Sequence, residues 1–142
     1  MPAKDTFHHA VRNALIKAGW TITHDLFTLE FEDVNFYVDL GAEKVIAAQK
    51  EREKVAIEIK SFLRDSIVTE LHLASGQYLN YRFALSEIEP DRTLYLAIPN
   101  DTYEVFCHSR FVQRILEHYQ IKIIVYNPEI EEIVAWQSTT LN

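Results

Sequence analysis

The sequence predicts an α/β domain in which a mixed β-sheet is covered by helices on both faces. Three observations support this prediction. A helical pattern near the N-terminus is followed by several short strand-like runs. Helix-like and strand-like segments then alternate through the second half of the chain. The length of 142 residues, with 48% hydrophobic residues and only 3 Gly and 4 Pro, fits a single compact domain over residues 1–142.

The first half of the chain predicts one helix and then a series of strands. Residues 5–18 form the helix, which Asp5 can cap and Gly19 can end, and its apolar stripe contains Phe7, Val11, Ala14, Leu15 and Ala18. Residues 20–31 and 34–40 have the alternating apolar and aromatic side chains that are typical of strands.

Two more strands are predicted over residues 43–50 and 54–61, joined by a charged turn at residues 51–53. Residues 43–50 could instead form a short helix, because two of them are alanines, which favour helix. Both alternatives leave the second strand, which ends in Glu58-Ile59-Lys60, unchanged.

The second half of the chain alternates helices with buried strands. Residues 66–86 form a helix with Ser66 as its cap. Gly76 lies inside this helix, where it costs about 1 kcal/mol relative to alanine, so we expect it to permit a close approach to the sheet.

A helical region begins with Asn100 or Asp101 as its cap, extends to about residue 119, and is interrupted near residues 108–109. Three strands complete the pattern, at residues 93–98, 121–126 and 132–137. An antiparallel beginning followed by helix–strand alternation predicts a mixed sheet with helices on both faces. This order of elements resembles that of restriction-endonuclease-like nucleases.

Polar side chains at the ends of two predicted strands form a candidate site. Asp39 ends the run that starts at Val34, and Glu58 and Lys60 end the run that starts at Val55. Because side chains alternate faces along a strand, Glu58 and Lys60 project to the same side, roughly 7 Å apart along it. Two carboxylates can hold a divalent cation, and an ammonium group can orient a water molecule, which is the chemistry of phosphodiester hydrolysis.

The charge of the chain argues against a simple nucleic-acid-binding protein. The net charge is −7, whereas such proteins are normally basic. Residues 44–64 contain six Lys or Arg against three Glu, a balance of +3, and the remainder has a balance of −10. We therefore expect positive charge to gather around the candidate site, although a solvated hairpin turn would give the same composition.

Other compositional features place the protein in the cytoplasm. No apolar run is long enough to span a membrane, and the N-terminus does not resemble a signal peptide. The single cysteine, Cys107, excludes an internal disulfide and fits a reducing compartment.

The residues of the candidate site resemble a known nuclease motif. Asp39 followed by Glu58-x-Lys60 is similar to the PD-(D/E)xK motif, with Val38 in place of the usual proline. Gln77 and Tyr81 resemble the Gln-x-x-x-Tyr of its RecB-like branch. Four stretches resemble the XisH family, the cyanobacterial fdxN-element excision controlling factors, and they are residues 18–25, 38–43, 57–62 and 76–81.

This resemblance implies a function in programmed DNA excision during heterocyst differentiation. Members of the family are associated with this excision and act beside a site-specific recombinase and a companion protein, XisI. The resemblance implies that Asp39, Glu58 and the Ile59 carbonyl bind Mg²⁺ or Mn²⁺ and that Lys60 orients the attacking water. Gln77 and Tyr81, which share one helix face, would support the site.

Several alternatives remain open at this point. Many nucleases of this superfamily have a glutamate on the first helix, where this chain has His8 and His9, so His9 could be a ligand or phosphate contact; Glu43 is an alternative carboxylate. The rival to a DNA nuclease is a non-catalytic accessory factor that binds a XisI-type protein or DNA. RNA cleavage is a weaker third reading. The acidic surface predicts a protein partner or a homodimer, and the last strand is a candidate contact surface.

Overall fold

The computed structural model describes residues 2–46, 51–62 and 66–137, with side chains from Thr6 onwards except at position 46. The described residues form four helices and eight strands. The helices are α1 (Pro2–Lys17), α2 (Ile67–Ile88), α3 (Asn100–Cys107) and α4 (Arg110–His118). The strands are β1 (Thr21–His24), β2 (Phe27–Phe31), β3 (Val34–Val38), β4 (Leu40–Ile46), β5 (Glu51–Ile59), β6 (Arg92–Pro99), β7 (Ile123–Asn127) and β8 (Glu132–Gln137).

Six of the strands form one mixed sheet in the order β1-β4-β5-β6-β7-β8. The central pairs β5–β6 and β6–β7 are parallel, and the other three pairs are antiparallel. Strands β2 and β3 form a separate antiparallel hairpin. The predicted mixed sheet is confirmed, and the parallel centre requires the helical crossovers that cover it.

The two faces of the sheet have separate apolar cores, as the alternation along β5 requires. Val55 and Ile57 point toward α1 and pack in one cluster with Val11 and Leu15. Ala56 points to the opposite face, where the cluster contains buried residues of α2, α3, α4 and the β2–β3 hairpin. Helices therefore cover both faces, and Glu58, two residues after Ala56, lies on the α2 side.

The first half of the chain differs from the prediction in three places. The strand predicted over residues 34–40 is divided by a bend at Asp39, so that Leu40 belongs to β4. Residues 20–31 are two strands rather than one, because the chain bends at Asp25 and Leu26 between β1 and β2. The predicted turn at residues 51–53 is wrong, since Glu51 pairs with Ile46 and the whole segment belongs to β5. The connection between β4 and β5 falls within residues 47–50, outside the described residues. The alternative short helix over residues 43–50 is wrong in its described half, because residues 43–46 belong to β4.

The helix ends test the predicted caps. Ser66 caps α2 as predicted, because its hydroxyl accepts a hydrogen bond from the Thr69 amide. The predicted cap of α3 is wrong: the helix begins at Asn100, Pro99 precedes it, and no side chain caps it. The interruption near residues 108–109 is confirmed, since α3 ends at Cys107 and α4 begins at Arg110. Asp5 lies outside the described side chains.

The expectation for Gly76 is also wrong. A Cβ placed on Gly76 would meet no atom within 4 Å, so the residue faces solvent rather than the sheet. Among the described helices, none is long and apolar enough to cross a membrane.

Candidate active site

The end of β5 places a buried carboxylate beside an ammonium group. Glu58 is only 6% exposed, and Lys60 follows it directly after the strand ends at Ile59. The Lys60 Nζ lies 3.4 Å from the Glu58 Oε2, which shows that the two side chains share one face. The alternation predicted from the sequence is therefore present.

Asp39 reaches the same place from a bend between β3 and β4. Its Oδ2 accepts a hydrogen bond of 2.8 Å from the backbone amide of Ile59. The β4–β5 ladder reaches only the Leu40–Ile57 pair at this end, so β4 does not continue alongside Ile59. The Asp39 carboxylate takes over as the acceptor for that amide.

The electrostatics of Glu58 are those of a carboxyl group held out of water beside another carboxylate. The pKa of Glu58 is raised from its ordinary 4.5 to about 7; burial is the largest cause, the charge of Asp39 adds to the rise, and Lys60 opposes it. Among the described residues, the Glu58 Oε1 has no hydrogen-bond partner although it is buried. A buried carboxylate oxygen without a donor costs folding free energy, so it requires an explanation.

Helix α2 adds the predicted Gln77 and Tyr81 pair. The Gln77 Nε2 donates a hydrogen bond of 2.9 Å to the Tyr81 hydroxyl, as the spacing of four residues allows. The Tyr81 ring is buried and packs edge-on against Phe36 of the hairpin. Burial raises the pKa of Tyr81, and so does the charge of nearby Glu58. The pair thus lies beside the carboxylates, where its bonded groups contact each other rather than Asp39 or Glu58.

The donor set fits a hard divalent cation in part. Asp39 and Glu58 supply carboxylate oxygens, the ligands that Mg²⁺ and Mn²⁺ prefer, and the unpartnered Glu58 Oε1 is free to bind one. No group of three or more His, Cys, Asp or Glu side chains within the described ranges is arranged to hold a metal ion. A cation here would need waters, a substrate phosphate or a backbone carbonyl to complete its shell, and the ligand role of the Ile59 carbonyl stays a prediction.

The histidines of α1 do not join the carboxylates. The His8 Nε2 lies 2.8 Å from the Asp25 Oδ1, and Arg12 contacts the other oxygen of Asp25 at 3.1 Å. His9 is exposed, and its ring packs edge-on against His8. Asp25 therefore connects α1 to the β1–β2 turn. No contact in the described structure supports His9 as a metal ligand in place of the first-helix glutamate.

Glu43 does not belong to the site, which corrects the alternative raised from the sequence. It contacts Arg52 at 3.4 Å and Arg92 at 3.7 Å. It pairs with Lys54 across the ladder, four positions before Glu58 on β5. Four strand residues span roughly 13 Å, so nearness to Asp39 in sequence does not become nearness in space.

The positive charge expected around the site is elsewhere. Lys44 donates to the Ala18 carbonyl and lies over the Trp20 ring, and Lys54 contacts Glu89 and Asp91. Arg52 is bound to Glu43. These cations lie toward the opposite end of β5 and are engaged by neighbouring groups. Lys60 is at the site, while Lys50 and Arg64 lie outside the described residues.

Sequence analysis missed Phe62 as part of the site's frame. Phe62 has a φ of 55°, in the left-handed region that disfavours residues with a Cβ, yet it is buried and packs edge-on against Phe106 of α3. This contact fixes the chain just beyond Lys60 against α3. An aromatic residue two positions after the motif was the available signal.

The chain is similar to known proteins over nearly its whole length. The XisH protein family matches residues 1–134. A crystal structure of an XisH family protein from Nostoc punctiforme is similar at a TM-score of 0.85 and 42% identity, covering 93% of this chain and 98% of that one. A fdxN element excision controlling factor protein from Anabaena variabilis is similar at a TM-score of 0.84 and 44% identity, with the same coverage. No protein with curated function matches the sequence significantly.

Proposed function

This chain belongs to the XisH family, and from that premise we propose that it acts in DNA element excision as a divalent-metal-dependent DNA endonuclease. One observation carries the proposal. Asp39 and Glu58 converge at the end of β5, and one buried Glu58 oxygen has no partner among the described residues. A structural role leaves that oxygen unexplained, whereas a bound cation would satisfy it.

The residues of the site would share the work of phosphodiester hydrolysis. Asp39 and Glu58 would hold Mg²⁺ or Mn²⁺, which supplies charge neutralisation at the phosphate and a more acidic water. Lys60 lies 3.4 Å from Glu58 and would orient the attacking water or stabilise charge on the phosphate. Gln77 and Tyr81 would fix the α2 side of the site through their mutual hydrogen bond.

The biological setting is proposed from the family. The Anabaena variabilis protein is called a fdxN element excision controlling factor. We place the present protein in an equivalent cytoplasmic process, with a XisI-type companion, a site-specific recombinase or a second copy as partners. Strands β1 and β8 form the two edges of the sheet, and β8 is the candidate edge for pairing with a partner.

A non-catalytic accessory factor is the second candidate, and one observation favours it. The described residues contain no third His, Cys, Asp or Glu placed to complete a metal site with Asp39 and Glu58. A protein that kept the fold but used it to bind a XisI-type companion or DNA would look the same in this respect.

Cleavage assays distinguish the two candidates. The purified chain, alone and with its companion, is expected to cut DNA only with Mg²⁺ or Mn²⁺. Glu58→Ala and Lys60→Ala should abolish cutting while circular dichroism shows an intact fold. Glu53→Ala is the matched control, because Glu53 is an exposed carboxylate on the same strand. If the site variants cut as well as wild type, or no DNA form is cut under any of these conditions, the nuclease proposal is wrong.

A further inference from the structure

Most cations of this acidic protein are engaged by its own groups. Of the Lys and Arg side chains that the structure describes, three form neither an ion pair nor a hydrogen bond: Arg110, Arg114 and Lys122. The others are bound to carboxylates or carbonyls, and they are Arg12, Lys17, Lys44, Arg52, Lys54, Lys60, Arg82 and Arg92.

The three cations without an ion pair or side-chain hydrogen bond lie close together in the sequence, on and just after α4. Arg110 and Arg114 are four residues apart, so they share one exposed face of the helix, and His118 continues it by one more turn. Phe111, 53% exposed, lies next to this row. We refer to the surface formed by residues 110, 111, 114, 118 and 122 as the α4 strip.

Lys122 lines a shallow cleft of about 330 Å³ just beyond the C-terminal end of α4. Lys122, Gln120 and Arg82 all line this cleft, and none of the described residues that line it is acidic. The Arg82 guanidinium donates to the carbonyls of Tyr119 and Gln120 just after the helix, which holds the end of α4 against α2. The cleft that holds Lys122 therefore lies beside the C-terminal end of α4, the helix that carries Arg110 and Arg114.

We propose that the α4 strip binds the phosphate backbone of DNA. Residues 109–122 contain Arg110, Arg114 and Lys122 against the single acid Glu117, whereas the whole chain has a net charge of −7. Cations without an internal partner can exchange counterions for phosphates at no cost in broken ion pairs. This inference rests on the proposed function, which requires a grip on DNA that Lys60, engaged with Glu58, does not provide.

The composition of the strip favours DNA over a protein partner. The exposed residues of α4 are mainly charged or polar, and Phe111 is the one large apolar side chain of α4 that is more than half exposed. Protein-binding surfaces have apolar centres with few charges. Surfaces that bind DNA are instead more polar and much more positively charged than protein–protein interfaces.

Helix α3 lies between the α4 strip and the end of the sheet that carries Glu58 and Lys60. Helix α3 starts at Asn100, at the end of β6, beside the end of β5 that carries Glu58. Phe62, two residues after Lys60, packs against Phe106 of α3, and α3 packs against α4. The exposed Asp101 and Glu104 of α3 would repel phosphates, so the backbone contact would fall on α4.

The test is DNA binding as a function of salt, measured by fluorescence anisotropy on a labelled duplex in EDTA so that no cleavage occurs. The strip variant is Arg110→Gln/Arg114→Gln/Lys122→Gln. The matched control, Lys17→Gln/Lys44→Gln/Arg52→Gln, removes the same charge from engaged cations. Three lost phosphate contacts should reduce the slope of log Kd against log salt by about 2.7. Wild type should then lose about 40-fold more affinity than the strip variant between about 50 and 200 mM salt, and the control should follow wild type.

Each other outcome has a distinct meaning. Equal loss in both triple variants, unchanged binding by the strip variant, or no binding by wild type at low salt would overturn the strip proposal. A strip variant that binds DNA normally but no longer co-elutes with a XisI-type companion would assign the surface to a protein instead. Strip-dependent DNA binding by wild type, with no cleavage when Mg²⁺ or Mn²⁺ is added, would refute the nuclease proposal and leave the strip proposal standing.

Discussion

Replacing Glu58 with glutamine should stabilise the metal-free protein at alkaline pH. The Glu58 carboxyl has a pKa of about 7 in the folded chain against an ordinary 4.5, with burial as the main cause. Folding therefore favours the protonated form. The stability that this preference provides is fully present below pH 4.5 and is lost as the pH rises to about 7.

The structure sets the size of the effect. One pKa unit corresponds to about 1.4 kcal/mol, so ionised Glu58 costs the fold about 3 kcal/mol at pH 8 and under about 1 kcal/mol at pH 5. A side chain that is 6% exposed has little solvent to screen this penalty. Glu58→Gln keeps the shape of the side chain without the charge, and it should be more stable than wild type by about these amounts.

Urea unfolding in EDTA at several pH values between 5 and 8 measures the difference. Subtracting the Glu58→Gln curve from the wild-type curve removes the contributions of the histidines and the other carboxylates. Glu53→Gln, an exposed change on the same strand, should run parallel to wild type. If the Glu58→Gln and wild-type curves are also parallel, folding does not shift the pKa of Glu58 and the reasoning fails.

Three further predictions test the site and the helix that supports it. Millimolar Mn²⁺ should raise the melting temperature of wild type by binding the native state alone, and Asp39→Asn should remove the gain; an unchanged wild-type melting curve would count against a metal site. Ser66→Ala should lower the free energy of unfolding by about 1 kcal/mol, because its hydroxyl accepts from the Thr69 amide at 3.2 Å; urea unfolding with no loss would show that the cap is dispensable. Gly76→Ala should raise that free energy by about 1 kcal/mol, since the added Cβ meets nothing within 4 Å; a lower urea midpoint would show hidden crowding.

The grouping of the site residues could be predicted because it depends on short-range rules. Two residues on one strand with one residue between them must share a face, so Glu58 and Lys60 meet in any fold that keeps β5. Bringing Asp39 to the same place needs β4 and β5 to be antiparallel neighbours, which the hairpin connection makes natural. The catalytic role of these groups is a separate matter and stays a prediction.

The error in placing a turn at residues 51–53 has its physical origin in how far the strands extend. Strands β4 and β5 remain paired back to Ile46 and Glu51, whereas β6 starts to pair with β5 only at Lys54. The ends of β4 and β5 that extend beyond β6 are exposed and rich in charged residues. Their composition therefore resembles that of a turn. The sequence cannot show where a neighbouring strand begins, since that depends on the crossover through α2.

Charge in the sequence was misleading for a similar reason. A local excess of lysine and arginine shows that cations are present but not which ones are already paired. Arg92 is buried and contacts both Glu43 and Glu89, so it contributes little to the outer field. Only the folded chain shows that Arg110 and Arg114 are uncommitted.

The hydrogen bond between Asp39 and the Ile59 amide divides the site residues into two kinds. Asp39 connects the last residue of β5 to the bend between β3 and β4. A non-catalytic chain of this fold would need the same hydrogen bond. Glu58 differs: its carboxyl group is buried beside the charge of Asp39, and its Oε1 has no donor among the described residues. Among designed or natural chains of this fold, an aspartate at position 39 is therefore weak evidence for catalysis. A glutamate at position 58, where its ionised form lowers the stability of the fold, is the stronger evidence.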